Sequence, residues 1–339
     1  MIPPALRLSI LGTIRLRRAI LGALLLVLTL ACAGLLATRA ALEHVAAPGP
    51  LPEARAIIIP RGGPARLGDI LAEAGAIPHP IALRVAAWAT ASEGPLRAGE
   101  FLFPAAASLR EILTILRTAR PVQHRLTIPE GLTAAAIAIL LDRTDTLSGD
   151  PVIPPEGAVL PDTYLHERAT PRAALLDRAT RAMDRALAEA WATRAENLPL
   201  ATPHDLLTLA SIVERETGRA DERPHVAQVF LNRLKRGMRL QSDPTVAYAA
   251  SGGGTLDRPI TRTDLDTPHP YNTYRIPALP PGPIASPGPA ALAAVAHPTP
   301  SENLYFVADG TGGHAFARTL EDHNRNVARW RALANPLAR

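Results

Sequence analysis

The chain has 339 residues, a formal charge of +5, 4% aromatic residues and a single cysteine, Cys32. That length holds two modest domains, or one large domain with an appendage. The lone cysteine sits in an apolar run near the N-terminus, which excludes a disulfide framework, a CxxC metal site and a cysteine hydrolase.

The positive charge does not mark a nucleic-acid surface. Arg7, Arg15, Arg17 and Arg18 all precede the apolar run with no acid among them, and without these four the net charge falls to +1. This basicity is a topology signal. Residues 19–38 carry no charge and are long enough to cross a bilayer core as a helix. The cations before them keep residues 1–18 in the cytoplasm and put the bulk of the chain on the periplasmic side of the inner membrane. Two rival readings are a signal peptide cleaved at Ala31-Cys32-Ala33 and a lipoprotein acylated on Cys32. Apolar residues continue through Leu36, and Thr29-Leu30-Ala31 makes a poor lipobox, so an uncleaved single-pass anchor is the expectation.

Pro48, Pro50 and Pro52 stiffen a linker over residues 39–52. Beyond it, ARAIIIPRG (54–62) reads as a strand, ARLGDILAEAGAI (65–77) and PIALRVAAWATA (80–91) as helices, and AGEFLFP (98–104) as a second strand. SLREILTILR (108–117) adds a helix with Leu109, Ile112, Leu113 and Leu116 on one stripe. Strand, two helices and strand is the plan of a small LysM-like sugar-binding module, set here at 53–120; a spacer that binds nothing has the same pattern. From 121 onward a second domain is expected. VQHRLTIPEGLT (122–133) is a strand entering a turn, TAAAIAILLDR (133–143) a helix, EGAVLPDTY (156–164) a loop, and 171 to about 195 a long helix.

Residues 202–217, TPHDLLTLASIVERET, are the most informative stretch. Thr202 and Asp205 form a capping box, Pro203 occupies the first helical position, and Gly218 ends the helix. At about 100° per residue, Leu206, Leu207, Leu209, Ala210, Ile212 and Val213 cover most of the circumference, leaving Thr208, Ser211 and Arg215 as a narrow wet face. Glu214 and Glu216 fall within or beside the apolar arc. A carboxylate placed there either finds an Arg partner or holds its proton, because desolvation disfavours the charged form. A retained proton is what a general acid needs. Helical angles do not choose between the two carboxylates.

A helix over 223–236 buries Val226, Val229, Phe230 and Leu234, with Asn232 knitting the core or facing a cleft. After Gly237 helices give way to loops. Gln241, Ser242 and Asp243 precede a Pro-initiated helical turn. Tyr271, Asn272, Thr273 and Tyr274 follow in a Pro- and Gly-rich stretch. Tyrosine faces stack on sugar rings while amides and hydroxyls bond their hydroxyl groups, so this row suits a carbohydrate subsite; the alternative is a loop packed under its own side chains. The C-terminal stretch reads as a strand, a Gly-rich turn, a strand at 314–316 and a closing helix. There is no GxSxG elbow, HExxH, P-loop or GxGxxG before a helix, and no convincing His triad, so neither metal nor cofactor is implied.

Taken together, IPEGLT (128–133), EGAVLPDTY (156–164), LASIVERET (209–217), VFLNRLKRGMRLQSDPTVAY (229–248), YNTYRIPALPPGPIASPG (271–288) and LYFVADGTGGHAF (304–316) resemble the endolytic murein transglycosylases of the MltG (YceG-like) family. Six ordered motifs across nearly the whole chain make the resemblance specific. It implies an α+β fold: a transmembrane helix, a LysM-like module, and a YceG-like catalytic domain over 121–339 with a lysozyme-like helical core. The implied activity is that of a lyase which cuts the bond between N-acetylmuramic acid and N-acetylglucosamine within nascent strands, leaves a 1,6-anhydro end and so terminates glycan elongation. Implied partners are peptidoglycan strands, with peptidoglycan synthases and division or elongation proteins beside them, and no nucleic acid.

The resemblance places the acid at Glu216, with Thr217 beside it as in the Glu-Ser pair of lysozyme-like transglycosylases. Thr217, Gln241, Asp243, Tyr271, Asn272, Tyr274 and His314 match motif positions expected to line the glycan cleft, although Asp243 equally suits a cap of the following turn. Phe101 stands where the family usually has Tyr, and residues 142–155 match no motif. The competing functions are a membrane-tethered peptidoglycan-binding scaffold without catalysis, and a muramidase with a second carboxylate, Asp243 or Glu222, near Glu216.

Overall fold

The computed structural model describes residues 21, 24–36, 39 and 43–334. Within the expected membrane span, 24–36 are helical and their leucines exposed. Positions 19, 20, 22, 23, 37 and 38 of that span lie outside the described residues, as does the expected cytoplasmic segment 1–18. Among the described residues, no helix is long and apolar enough to cross a membrane. The chain divides into two compact units, 1–122 and 123–339, of mixed α+β structure.

In the first unit the order is β1 (Arg55–Ile59), α1 (Pro64–Glu73), α2 (Pro80–Ala89), β2 (Gly99–Phe103) and α3 (Leu109–Thr118). β1 and β2 pair antiparallel with Ile57 opposite Phe101. The two-residue alternation turns Ile57, Ile59, Phe101 and Phe103 inward, where Leu67, Leu71, Leu83, Ile112 and Leu116 complete one core. Phe101 is wholly buried. Proline opens both α1 and α2, while Ser108 and Glu111 close a capping box on α3. α1 and α2 approach closely because position 68 lacks a side chain: a Cβ on Gly68 would lie 2.6 Å from the Pro80 carbonyl oxygen. Backbone cannot swing aside as a side chain does, so Gly68→Ala should destabilise this unit by about 1–3 kcal/mol. Chemical denaturation would read the change, and an unshifted midpoint would refute it. On the outer side of α2, Ile81, Val85 and Trp88 stay exposed, Trp88 at 81%.

The second unit opens with β3 (Gln123–Thr127), α4 (Ala134–Asp142), the two-residue β4 (Leu147–Ser148), β5 (Thr163–Glu167) and the two-residue β6 (Thr170–Pro171). β3 pairs antiparallel with β5, and Leu126 lies opposite Tyr164. No strand was expected at 163–167; its pairing partner lies 36 residues upstream at Thr127, beyond the reach of local pattern. The long α5 (Arg172–Thr193) joins two cores. Leu175, Leu176 and Ala179 pack with Leu126, Ile128, Ile137 and Leu141, whereas Met183 belongs with the helices that follow.

Those helices are α6 (Pro203–Glu216), α7 (Arg223–Lys235), α8 (Asp243–Ala250), α9 (Arg262–Asp266) and α10 (Pro289–Ala296). The described residues end with the hairpin β7 (Tyr305–Ala308) and β8 (His314–Ala317), then α11 (Leu320–Ala334). α6 is the centre of this core, packed by α5, α7, α8 and α10. The stretch holding α9 and α10 was expected to be loop. α10, PAALAAVA, has no polar face to give a 3.6-residue period, because it is buried on several sides against α6, α7 and α5. Asn232 ties α7 to the segment before β7, donating to the carbonyls of Ser301 and Asn303.

Candidate active site

α6 begins as its sequence dictates. Thr202 accepts from the Asp205 N–H, the Asp205 carboxylate accepts from the Thr202 N–H, and Pro203 follows at the first turn. The helix stops at Glu216, and Thr217, rather than Gly218, leaves it in extended conformation. The expected wet face is largely dry: Thr208 and Ser211 are buried and only Arg215 is exposed. Residues around Ile284 cover it, since the Ser211 hydroxyl accepts from the Ile284 N–H at 3.0 Å while donating to the Thr208 carbonyl.

The two carboxylates have opposite surroundings. Glu214 accepts from Arg223 Nη2 at 2.7 Å and from the Gly288 N–H at 2.9 Å, and the same guanidinium reaches Glu130 at 3.3 Å. This is the Arg-paired arrangement; burial pushes the Glu214 carboxyl up, and Gly288 and Arg223 pull it back. Among the described residues, no such cation is bonded to Glu216. Its Oε1 accepts one hydrogen bond, 2.5 Å from Ser242 Oγ. Desolvation raises its pKa to about 7, with Asp243 adding to the rise and Ser242 and the more distant Arg233 opposing it. The residue as a whole is half-buried. A carboxyl whose pKa is pushed toward neutral pH is equipped to give a proton and to take one back.

The residues supporting Glu216 come from far along the chain. Ser242 is 1% exposed, and its N–H donates to Thr273 Oγ1 at 2.9 Å. Thr245 Oγ1 donates to the Ser242 carbonyl at 2.7 Å and lies 2.8 Å from Thr273 Oγ1. Gln241, just before, is exposed and has φ +52°, a left-handed conformation uncommon outside glycine. Its N–H donates to the Thr273 carbonyl at 3.2 Å. Arg233, buried in α7, donates through Nε to the Leu304 carbonyl and through Nη1 to the Leu240 carbonyl, both at 2.6 Å. It stacks 5.2 Å from the Tyr305 ring centre. Ser242 was named from sequence only as preceding the helical turn and Thr273 only within the row suited to a carbohydrate subsite, and Arg233 and Thr245 were not singled out. Their only local signal is the density of short hydroxyl residues around Asp243 and Tyr274.

The residues expected to line a cleft do not share one environment. Asp243 and Tyr274 join the Glu216 neighbourhood: the Tyr274 hydroxyl donates to Asp243 Oδ1 at 2.7 Å, and burial and this bond push its phenol up. Thr217 lies next to Glu216 in the chain, but it is buried and its Oγ1 accepts from the Arg219 N–H. Tyr271 packs on Tyr248 at 4.9 Å, beside Glu156, which Tyr248 reaches at 3.2 Å. Asn272 is 1% exposed; its amide donates to the carbonyls of Asp264, Leu265 and Thr267, and its oxygen accepts from the Tyr274 N–H. That amide folds the loop on which Tyr274 rides. His314 pairs through Nδ1 with Glu222 at 2.7 Å. Glu222 is thereby engaged away from the Glu216 contacts, leaving Asp243 as the carboxylate adjoining the candidate acid.

The YceG-like family model matches residues 57–329. An endolytic murein transglycosylase of Streptococcus pneumoniae serotype 2 (strain D39 / NCTC 7466) is 40% identical over 180 residues, covering 51% of this chain and 32% of the relative. One from Bacillus subtilis (strain 168) is 46% identical over 122 residues, covering 36% of this chain and 33% of the relative. The chain thus spans about a third of the length of the curated relatives it matches. A crystal structure of a yceG-like protein from Listeria monocytogenes aligns with a TM-score of 0.51 at 28% identity, over 81% of this chain and 99% of that one.

Proposed function

Because the chain belongs to the YceG-like family, we propose that it is an endolytic lytic transglycosylase of peptidoglycan with Glu216 as its acid and base. The observation that carries this reading is the Glu216 carboxyl, pushed up to about 7 by desolvation and bonded to a hydroxyl rather than to an Arg. In the forward step Glu216 gives its proton to the glycosidic oxygen as the bond from the N-acetylmuramic acid C1 breaks. The carboxylate then takes the proton from the 6-hydroxyl of the same sugar as O6 closes on C1. No water enters, so one carboxyl suffices where an ordinary glycosidase needs two. Gln241, Asp243 and Tyr274 are the residues proposed to meet the strand beside it.

Mass spectrometry of digested glycan strands tests the reaction. Anhydro ends, lighter than hydrolytic ends by one water, are the expected product. Reducing ends would replace this reading with hydrolysis and turn attention to Asp243, and intact strands would leave a binding scaffold. A pH profile gives a further prediction. The first step needs the protonated acid, so kcat/KM should fall about tenfold per pH unit above about 7, where Glu216 loses its proton. A flat profile through pH 8 would contradict the assignment.

The first unit is proposed as a LysM-like glycan-binding module, on its strand, two helices and strand order and on the exposure of Trp88. Trp88→Ala should weaken co-sedimentation of the full chain with insoluble peptidoglycan by severalfold; undiminished binding would reduce the unit to a spacer. The apolar segment at 19–38 is proposed as a single-pass inner-membrane anchor, with residues 43 onward in the periplasm. Release of the full chain from membranes by alkaline carbonate would overturn that placement.

A further inference from the structure

We infer that Ser242 is a positioning residue that holds Glu216 by Oε1 and makes Oε2 the oxygen that gives up and recovers the catalytic proton. This inference rests on the proposed transglycosylase reaction. It follows from counting donors and acceptors. Ser242 is 1% exposed, its N–H is committed to Thr273 Oγ1, and its carbonyl accepts from Thr245 Oγ1. Its hydroxyl proton has one acceptor among the described residues, Glu216 Oε1. Were the acid proton on Oε1, it would point at Ser242 Oγ, and the buried hydroxyl would lose its acceptor. The neutral acid therefore carries its proton on Oε2, which has no bonded partner among the described residues.

The clamp is built to hold that orientation. Gln241 enters Ser242 from the left-handed region, a conformation that is strained for a residue with a side chain and persists only where its surroundings fix it. Here the Thr273 carbonyl fixes the Gln241 N–H, and the Thr245 and Thr273 hydroxyls, 2.8 Å apart, fix Ser242 from both sides. The bond serves both halves of the reaction. While the acid is neutral it locks the carboxyl plane; once Oε2 has passed its proton to the glycosidic oxygen, the same O–H stabilises the carboxylate. When Oε2 takes the proton of the 6-hydroxyl, the clamp returns to its starting state. No atom is gained or lost by Ser242.

A hydrogen bond to the charged form lowers a carboxyl pKa, so its loss raises it. In the full chain, Ser242→Ala should move the alkaline limb of kcat/KM up by about one pH unit. It should also lower kcat about tenfold or more with little change in KM. The carbon-13 titration of the Glu216 carboxyl should move with the limb. Ser242→Thr should restore both. Should Ser242→Ala lower the melting temperature below the assay range, Ser242→Cys keeps the volume with a weaker donor and should shift the limb the same way. An unmoved carboxyl titration overturns the inference, as does a fall in activity with the limb in place. Wild-type protein that leaves no anhydro ends would instead sink the transglycosylase reading, while the titration still tests the Ser242 contact.

Discussion

Glu216→Gln should keep the fold and reduce glycan cleavage by about 10²–10⁴-fold, the usual contribution of a positioned general acid. The replacement is close to isosteric with the neutral acid, and its amide oxygen can still accept from Ser242 Oγ. It removes no ion pair, because Glu216 forms none in the described structure. It also removes a carboxylate that desolvation disfavours. Melting at or slightly above the wild-type temperature is therefore expected. What the amide lacks is a proton it can transfer near pH 7, so both the departure of the glycosidic oxygen and the capture by the 6-hydroxyl lose their catalyst. The experiment pairs thermal melting with a count of anhydro ends. Near-normal cleavage by the folded variant would remove Glu216 from the mechanism.

How far this site could be read from sequence depends on how local each contact is. The start of α6 is encoded within four residues, so the Thr202 and Asp205 capping box was legible, as were its buried leucines. The choice between Glu214 and Glu216 was not, because both fall near the apolar arc and the deciding partners come from elsewhere. Arg223 is nine residues beyond Glu214, across the turn into α7, and Gly288 is 74 beyond; Ser242 is 26 beyond Glu216. The wet face of α6 was misread for a similar reason: Thr208 and Ser211 are polar, but residues around Ile284 cover them. Asn272 and Tyr274 look equivalent in the sequence row. The fold separates them, burying the amide under three carbonyls and aiming the phenol at Asp243. Chemistry-bearing residue types were visible; which of them hold the loops was not.

The difference between the two carboxylates makes a second large effect measurable. Arg223→Leu should destabilise the protein by about 3–5 kcal/mol, the cost of removing one partner from a buried ion pair. The side chains of Arg223 and Glu214 are 10% and 4% exposed, and Glu130 reaches the same Arg223 Nη2 at 3.3 Å. Without the cation, Glu214 keeps only the Gly288 N–H, and the Glu130 charge already bears on it. Burial then raises the Glu214 carboxyl further above its unfolded value. A group shifted in that direction destabilises the folded state above the unfolded pKa and ceases to do so as it takes up its proton, so the deficit should narrow on acidification toward pH 4. Denaturant midpoints measured from pH 7 to pH 4 would follow this. Adding Glu214→Leu should recover most of the loss, because an apolar pair of similar volume in a buried site is often as stable as the ion pair it replaces. A loss below about 1 kcal/mol for Arg223→Leu alone would mean that Glu214 is already neutral in the wild type. It would then differ from Glu216 by position alone, and the argument that assigns structure to one and chemistry to the other would fail.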